Sequence, residues 1–555
     1  MPAQKATTLP VEIWLACWTL CTLQQLRRVS LVCKLFRSLA LPRLFREQTL
    51  NVSALAWGLG KDNWMDRVRH LHRTAVRLDR LAEGPFPSFV HTWTVTLSRW
   101  LMPLSRSHPD IENIHLFDTL NARVLRTFVA TLDNYRNLLS LHIELATIDA
   151  PLREALESLS KLKELRLRNC HIDDAAGGGL AVDTLEIFQC SADEPIRLAS
   201  RDTLRILSVN GPAVSSVIAG FGLHVFTKLV SLSVHGMHGT RKGQELFQFL
   251  SQCPQLQSLS IESFSGSLPI VTSPTIPLLC NLTGPPAVVQ LLTPGRPLAT
   301  VVILGAPRRD SLRSFCTDIS RGTVPLQSLT WPFQHPQFDF LESFMLSSSS
   351  TSAPPVFDFL AALSSFFPEL KELSLKFPGH MAFRCGGVFH GVSESAPIVV
   401  DRRTLVLDDD KAFTGLSLTD DDVSVEPERD DAPSAPIIVK EHINPKPSSS
   451  DQEQPVPPFF VSTMEHVLNL IIDDFVSLPP KIEVFRAEEV GSELPPANQH
   501  KVLTALVPLY AHLREIQLDA RDTSWTRNGD SWARDVAGRR EVVKIVPGEK
   551  SGEEL

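Results

Sequence analysis

The chain has 555 residues, 43% of them hydrophobic and 21% charged; most of it can fold, but it is too long for one ordinary core unless that core is an elongated array. Its net charge of −8 is concentrated, because residues 401–431 hold eleven Asp/Glu against four Lys/Arg. The remainder is therefore near neutral, which argues against nucleic acid or an anionic membrane as the partner. Nine cysteines form no C-x-x-C pair and no dense framework, as expected of reduced thiols in the cytoplasm or nucleus, and no apolar run reaches the roughly 18–20 residues that span a bilayer.

In chain order, the first patterned stretch is "LPVEIWLACWTLCTLQQLRRVSLVCKLFRSLA", from Leu9 to Ala40. A secretory signal is not expected: Glu12 interrupts the apolar run, and Gln24, Gln25, Arg27 and Arg28 follow without a small-residue cleavage site. Residues 8–46 read instead as three short helices. The first begins at Pro10 with Glu12 near its positive end and aligns Pro10, Ile13, Cys17 and Leu20 on one face. Thr22 is the expected cap of a second helix carrying Leu23, Leu26 and Val29, and Ser30 of a third carrying Leu31, Val32, Leu35, Phe36 and Leu39. So few residues cannot bury so many large apolar groups among themselves, so part of this surface is expected to face a partner. Arg27, Arg28, Lys34, Arg37, Arg43 and Arg46 read as solvated outer charges.

From about residue 88 three apolar positions recur as L-x-x-L-x-L inside short alternating strands. The matches are "VHTWTV" from Val90, "IENIHL" from Ile111, "LLSLHI" from Leu138, "LKELRL" from Leu162, "VDTLEI" from Val182 and "LRILSV" from Leu204. "LVSLSV" from Leu229, "LQSLSI" from Leu256, "LATVVI" from Leu298, "LQSLTW" from Leu326, "LKELSL" from Leu370 and "LREIQL" from Leu513 continue them. First positions from 90 to 256 stand 20 to 27 residues apart, the period of leucine-rich repeats. Several intervals hold an amphipathic helix: "APLREALESLSKL" with Asp149 as N-cap and Pro151 in its first turn, "GQELFQFLSQCPQL", "FLAALSSFFPEL" and "VLTALVPLYAHL". A strand, a return helix and a parallel strand wind right-handedly, so these units are expected to stack, each burying its apolar face against its neighbours. The expected fold class is α/β: a small three-helix domain, then a curved repeat solenoid with a parallel sheet on its concave face.

Cys170 and Cys190 each fall eight residues after a repeat's first position, where a small polar side chain satisfies turn groups, and read as structural. The glycines at 177–179 read as a flexible turn, and "HLH" at 70–72 as a surface helix. Residues 379–460, with acidic runs, Pro and Ser, are expected to be a disordered insertion, and "SSSSTSAPP" at 347–355 a surface loop. Trp525 and Trp532 among polar residues suggest a cap on the end of the array. The expected organisation is 1–50 helical domain, 51–378 repeats, 379–460 insertion, 461–540 terminal repeats and cap, and 541–555 tail.

The N-terminal residues resemble the F-box, whose pattern runs Leu-Pro-x-Glu-Ile/Leu, then Leu, Val-Ser-x-Val-Cys and an aromatic; Leu9, Pro10, Glu12, Ile13, Leu26, Val29, Ser30, Val32, Cys33 and Phe36 match it. The order of an F-box and divergent repeats is similar to the leucine-rich-repeat branch of that family, and "CPQLQSLSI" from Cys253 resembles its cysteine-containing repeats. The resemblance implies a substrate receptor of a ubiquitin ligase. Leu9, Pro10, Ile13, Leu20, Leu26, Val29, Val32, Cys33 and Phe36 would bind a Skp-type adaptor and through it a cullin, while the repeats hold a protein substrate. The pattern departs at Ala16 and Cys17, where the family's first helix places two bulky hydrophobics. No phosphate-loop, zinc-protease, nucleophile-elbow or paired-cysteine zinc motif occurs, so no catalysis, cofactor or metal is expected of the chain itself.

Overall fold

A computed structural model describes residues 10–52, 64–97, 111–173, 179–222, 224–238, 240–265, 268, 275–305, 312–332, 363–377, 463–472, 477–489, 494–518, 524–529, 531–536 and 539–544. The chain divides into two units, Met1–His380 with Val461–Leu555, and Met381–Phe460. Everything described belongs to the first, and the expected insertion and the loop at 347–355 lie outside the described residues.

Three helices open the chain: α1 (Val11–Thr19), α2 (Leu23–Ser30) and α3 (Lys34–Leu44). α2 starts in a capping box: the Thr22 hydroxyl accepts the Gln25 amide at 3.3 Å and the Gln25 side chain accepts the Thr22 amide at 2.8 Å. The cap expected at Ser30 is displaced to Cys33, whose sulfur accepts the Phe36 amide at 3.4 Å. Ser30 is still the last residue of α2, its hydroxyl donating to the Arg27 carbonyl at 2.7 Å, and so cannot begin the next helix. Trp18, Leu26 and Ala40 form a separate small core, against which Trp14, Val29, Phe36 and Leu39 pack.

Beyond α3 one mixed α/β sheet of seventeen strands organises the molecule. Fourteen are parallel and stand in chain order: β1 (Glu47–Asn51), β2 (Thr92–Thr96), β3 (Ser140–Glu144), β4 (Glu164–Arg168), β5 (Thr184–Phe188), β6 (Ile206–Asn210), β7 (Ser231–His235), β8 (Ser258–Ile261), β9 (Asn281–Gly284), β10 (Thr300–Ile303), β11 (Ser328–Pro332), β12 (Glu372–Phe377), β13 (Val484–Glu489) and β14 (Glu515–Gln517). Because strand side chains alternate, the second and third L-x-x-L-x-L positions of a rung point one way; with the first, buried in the turn before the strand, and with apolar helix residues they merge into one core running from Leu50 to Trp532. The intervening helices behave as the patterning implies. In Ala150–Ser158 the Asp149 carboxylate accepts the Leu152 amide at 3.1 Å, and Leu152 and Leu156 are buried; in Thr240–Leu250, Leu246, Phe249 and Leu250 are buried.

Several boundaries move. The strand expected at "IENIHL" is instead the start of a helix, Ile111–Thr131. Buried Val124 and Phe128 on this helix, and Leu132 just after it, stand four apart, the spacing of one helix face. That helix and Trp64–Glu83, on which Leu71 is buried between exposed His70 and His72, fill the longer intervals around β2. The boundary at 50 cuts through β1, and residues 541–544, assigned to the tail, belong to a strand. β1, β9 and β13 are rungs the repeat pattern missed.

After β3, β4, β5, β6 and β7 the next residue takes a left-handed conformation: Leu145, Asn169, Gln189, Gly211 and Gly236, with φ between 51° and 86°. This turn closes each rung, and Gly or Asn adopts it at least cost. The thiols that follow tie rungs together: Cys170 donates to the Ile143 carbonyl at 3.4 Å and Cys190 to the Leu167 carbonyl at 3.5 Å, while the Cys170 amide reaches the Cys190 sulfur at 3.4 Å. The neighbouring Cys190 thiol, and after it burial, push the Cys170 thiol far up, as suits an inert structural group. Of the glycines expected to form a turn, 177 and 178 lie outside the described residues; at Gly179 a Cβ would stand 2.6 Å from the Ser200 nitrogen, so the chain needs glycine for this close approach.

β14 is followed by an antiparallel meander, β15 (Ser524–Asn528), β16 (Ser531–Val536) and β17 (Arg539–Lys544). Trp525 and Trp532 are buried in it. The buried Gln499 carbonyl accepts the Trp525 indole N–H at 3.0 Å and a bond from Arg534, whose guanidinium lies 4.6 Å from the Trp525 ring and meets Glu541 at 2.7 Å. The meander thus covers the last parallel rung with a bonded polar centre.

Candidate functional site

Two surfaces stand out, one on each region. The first is the outside of the three-helix unit. Trp14 and Trp18 of α1 turn inward onto the Phe36 ring, at 4.8 and 5.3 Å between centroids, so the rest of the helix surface faces out. Of the sixteen large hydrophobic residues exposed among the described residues, eight lie between Val11 and Leu35: Val11, Ile13, Leu15, Leu20, Leu23, Leu31, Val32 and Leu35. Leu20, Leu31 and Val32 are 88%, 80% and 68% exposed. Such a concentration marks an interaction surface rather than a scatter of tolerated apolar residues.

Of the residues expected to meet the adaptor, Pro10, Ile13, Leu20, Val32 and Cys33 are exposed on this surface. Leu26 is not: it is fully buried at the centre of the unit. The middle helix of a three-helix packing must supply an inward anchor, and a segment apolar on several faces does not advertise which residue that is. Val29 and Phe36 are half-buried against that centre, and Leu9 lies outside the described residues. Leu15, Leu23, Leu31 and Leu35 are surface residues absent from the expected set; their signal was excess apolar content on too short a segment. Ala16 and Cys17 are both exposed. Stacked Phe45 and Phe86, 4.6 Å between centroids, join the unit to the turn preceding β2.

The second surface is the face of the parallel sheet opposite the core. Strand register places its side chains in rows. One row runs Thr49, Thr94, His142, Arg166, Glu186, Ser208, Ser233, Ser260, Thr283, Val302, Thr330, Ser374, Arg486 and Gln517. Charge gathers at its two ends and is paired across rungs. Arg166 meets Glu164 at 2.7 Å and Glu186 at 3.5 Å, and Arg168 meets Glu144 at 3.8 Å and lies 4.9 Å from the Phe188 ring. At the far end Arg486 bridges Glu372 and Glu515, Lys371 meets Glu483 at 3.7 Å and Lys376 meets Glu488 at 3.9 Å.

These pairings show in the ionisation of the groups. Burial works upward on Glu164, but hydrogen bonds from Ser140 and Arg166 outweigh it and hold the carboxyl below the usual range. Burial lowers His142, and Arg166 and Arg168 add to that against the opposing pull of Glu144 and Glu186, so its neutral form is favoured. Between the charged ends, β6 to β11 present mostly hydroxyls, with His235 set 2.7 Å from the Ser233 hydroxyl and 2.6 Å from Glu262 at one margin.

Among the described residues, no His/Cys/Asp/Glu cluster is arranged to hold a metal ion, and no helix is long and apolar enough to cross a membrane. Compared with known proteins, the chain matches no family model and no curated protein.

Proposed function

We propose that the chain is a substrate-recognition subunit of a Skp-cullin-F-box type ubiquitin ligase, non-catalytic itself, with residues 10–44 as the F-box and the rung array as a leucine-rich-repeat solenoid that holds a protein substrate. The observation that carries the reading is the concentration of exposed apolar residues on a small unit that already owns a core. Together with the Leu-Pro-x-Glu-Ile and Val-Ser-x-Val-Cys signature, that is what an adaptor-docking module requires. Parallel rungs standing in chain order, and following one another from β3 to β11 at intervals close to a leucine-rich-repeat period, support the repeat reading. The mechanism is proximity: the helices tether the adaptor and the sheet face holds the target, so the conjugating enzyme acts at high effective concentration. Cytoplasm or nucleus is the compartment that such a complex implies.

Exposed Ala16 and Cys17 favour a second reading, a repeat scaffold whose F-box no longer docks. Capture of a purified Skp-type adaptor by the full chain separates the two. Ile13→Asp and Val32→Asp, both at exposed positions, are expected to cut capture at least tenfold while leaving thermal unfolding unchanged. A wild-type chain that captures no adaptor, or variants that capture it equally, would sink the ligase reading.

A further inference from the structure

We propose, independently of adaptor docking, that the outer edge of β17 takes up an extended acidic segment of a partner protein as an added strand. β17 pairs with β16 on one side, and among the described residues no strand meets its other side. In an antiparallel strand every second residue turns its N–H and C=O away from the neighbour it pairs with. This edge is therefore an open backbone template, roughly 20 Å long for its six residues.

The side chains select the strand that fits. Buried Trp532 and Arg534 of β16 stand opposite Val543 and Glu541, so those two residues of β17 share the core-facing side. Val543 packs against the core and Glu541 is taken by Arg534. Arg540, Val542 and Lys544 lie on the opposite side, and all three are exposed, Val542 at 59%. Register carries this side on from the sheet face through Glu515, Thr526, Ala533 and Val542. Asp535 stands across from Arg540 and Ser531 across from Lys544, but neither cation is ion-paired among the described residues.

An incoming strand that continues this face sets one side chain opposite each of the three. Acidic residues opposite Arg540 and Lys544, with an apolar one opposite Val542, make three favourable cross-strand pairs. The resulting pattern, acidic-x-apolar-x-acidic, reads the same in both directions, so it fits a parallel or an antiparallel approach. A second copy of the chain fits poorly. β17 laid antiparallel on its own copy about Val542 sets Arg540 against Lys544 twice, and laid parallel it sets each cation against itself. The two cations that admit an acidic strand also keep copies apart.

The test measures fluorescence anisotropy of labelled, terminally blocked peptides on the purified full-length chain. The probe is Thr-Glu-Thr-Val-Thr-Glu-Thr. One control is its analogue with Lys for Glu; the other is the acidic peptide N-methylated throughout, which keeps the charge and cannot pair as a strand. The probe is expected to bind at least tenfold tighter than either. Arg540→Glu combined with Lys544→Glu, both at exposed positions, is expected to reverse the order at least tenfold in favour of the Lys peptide. Lys544→Glu alone, expected to weaken the probe at least threefold, repeats the test should the double variant lose its cooperative melt. Binding of the N-methylated peptide as tight as the probe, no binding above background, or an unchanged order in folded variants would each overturn the proposal. So would a wild-type dimer in sedimentation that the double variant abolishes, since the occupant would then be a second copy. Adaptor capture is measured on the same preparations. Its absence with probe binding intact removes the ligase reading alone, and capture without probe binding removes this inference alone.

Discussion

The three-helix unit and the rung array solve the burial problem in opposite ways. The array closes its apolar face rung upon rung into one continuous core from Leu50 to Trp532, and each added strand buries the previous one. The unit has only Trp18, Leu26 and Ala40 fully inside, and shows eight large hydrophobics to solvent between Val11 and Leu35. Repetition lets the array hide nearly all of its apolar surface, whereas a unit of two- and three-turn helices has too little volume to do so.

The largest effect is expected at a rung centre. Leu165→Ala, fully buried between neighbouring rungs, is expected to cost about 3 kcal/mol in urea unfolding, with lost amide protection spreading to β3 and β5 in hydrogen exchange. A loss confined to β4 would mean that the rungs do not share a core. A smaller effect sharpens the other side. Thr22→Ala removes half of the capping box and is expected to cost the helical unit about 1 kcal/mol, read from the fluorescence of buried Trp18. Leu20→Ser, at an 88% exposed position, is expected to change it by less than about 0.5 kcal/mol; equal costs would show that α1 packs differently.

The smallest effect tests the electrostatics of the sheet face. His142 titrates lower in the folded chain than its ordinary value of 6.5, because burial and two arginines disfavour the imidazolium. The unfolded chain therefore binds the proton first, and the stability tied to neutral His142 is present above pH 6.5 and lost as pH falls through the folded pKa. An imidazole NMR titration is expected to show a midpoint below 6.5, moving up in Arg166→Ala; a midpoint at or above the ordinary value would contradict the arrangement.

Most rungs were legible because Leu, Ile or Val fills all three positions and the next residue completes a turn. Those missed lack one of the three. β9 ends on Gly284, β13 carries Ala487 at the position the pattern fills with a larger side chain, and β1 has Gln48 opposite Trp93. Six residues were too short a window to separate "IENIHL" from a strand, because the helical spacing shows only further on, where Val124 and Phe128 stand four apart. At the helical surface the excess of apolar residues was readable, but the inward turn of Leu26 was not, because it depends on Trp18 and Ala40 arriving from two other helices. The rows on the sheet face were invisible for a related reason: their members sit a whole repeat apart in the chain and become a surface only once register sets them side by side.

β12 and β13 pair in register over six positions although the whole stretch 378–483 lies between Phe377 and Val484 in the chain. Lys376–Glu488, Lys371–Glu483 and Arg486–Glu372 stitch the same seam. Covalent continuity is therefore not what makes these two rungs neighbours. The seam is held instead by strand register, by these charge pairs and by a shared core that Met464, Val467, Leu468 and Ile471 of the helix Thr463–Ile472 also enter.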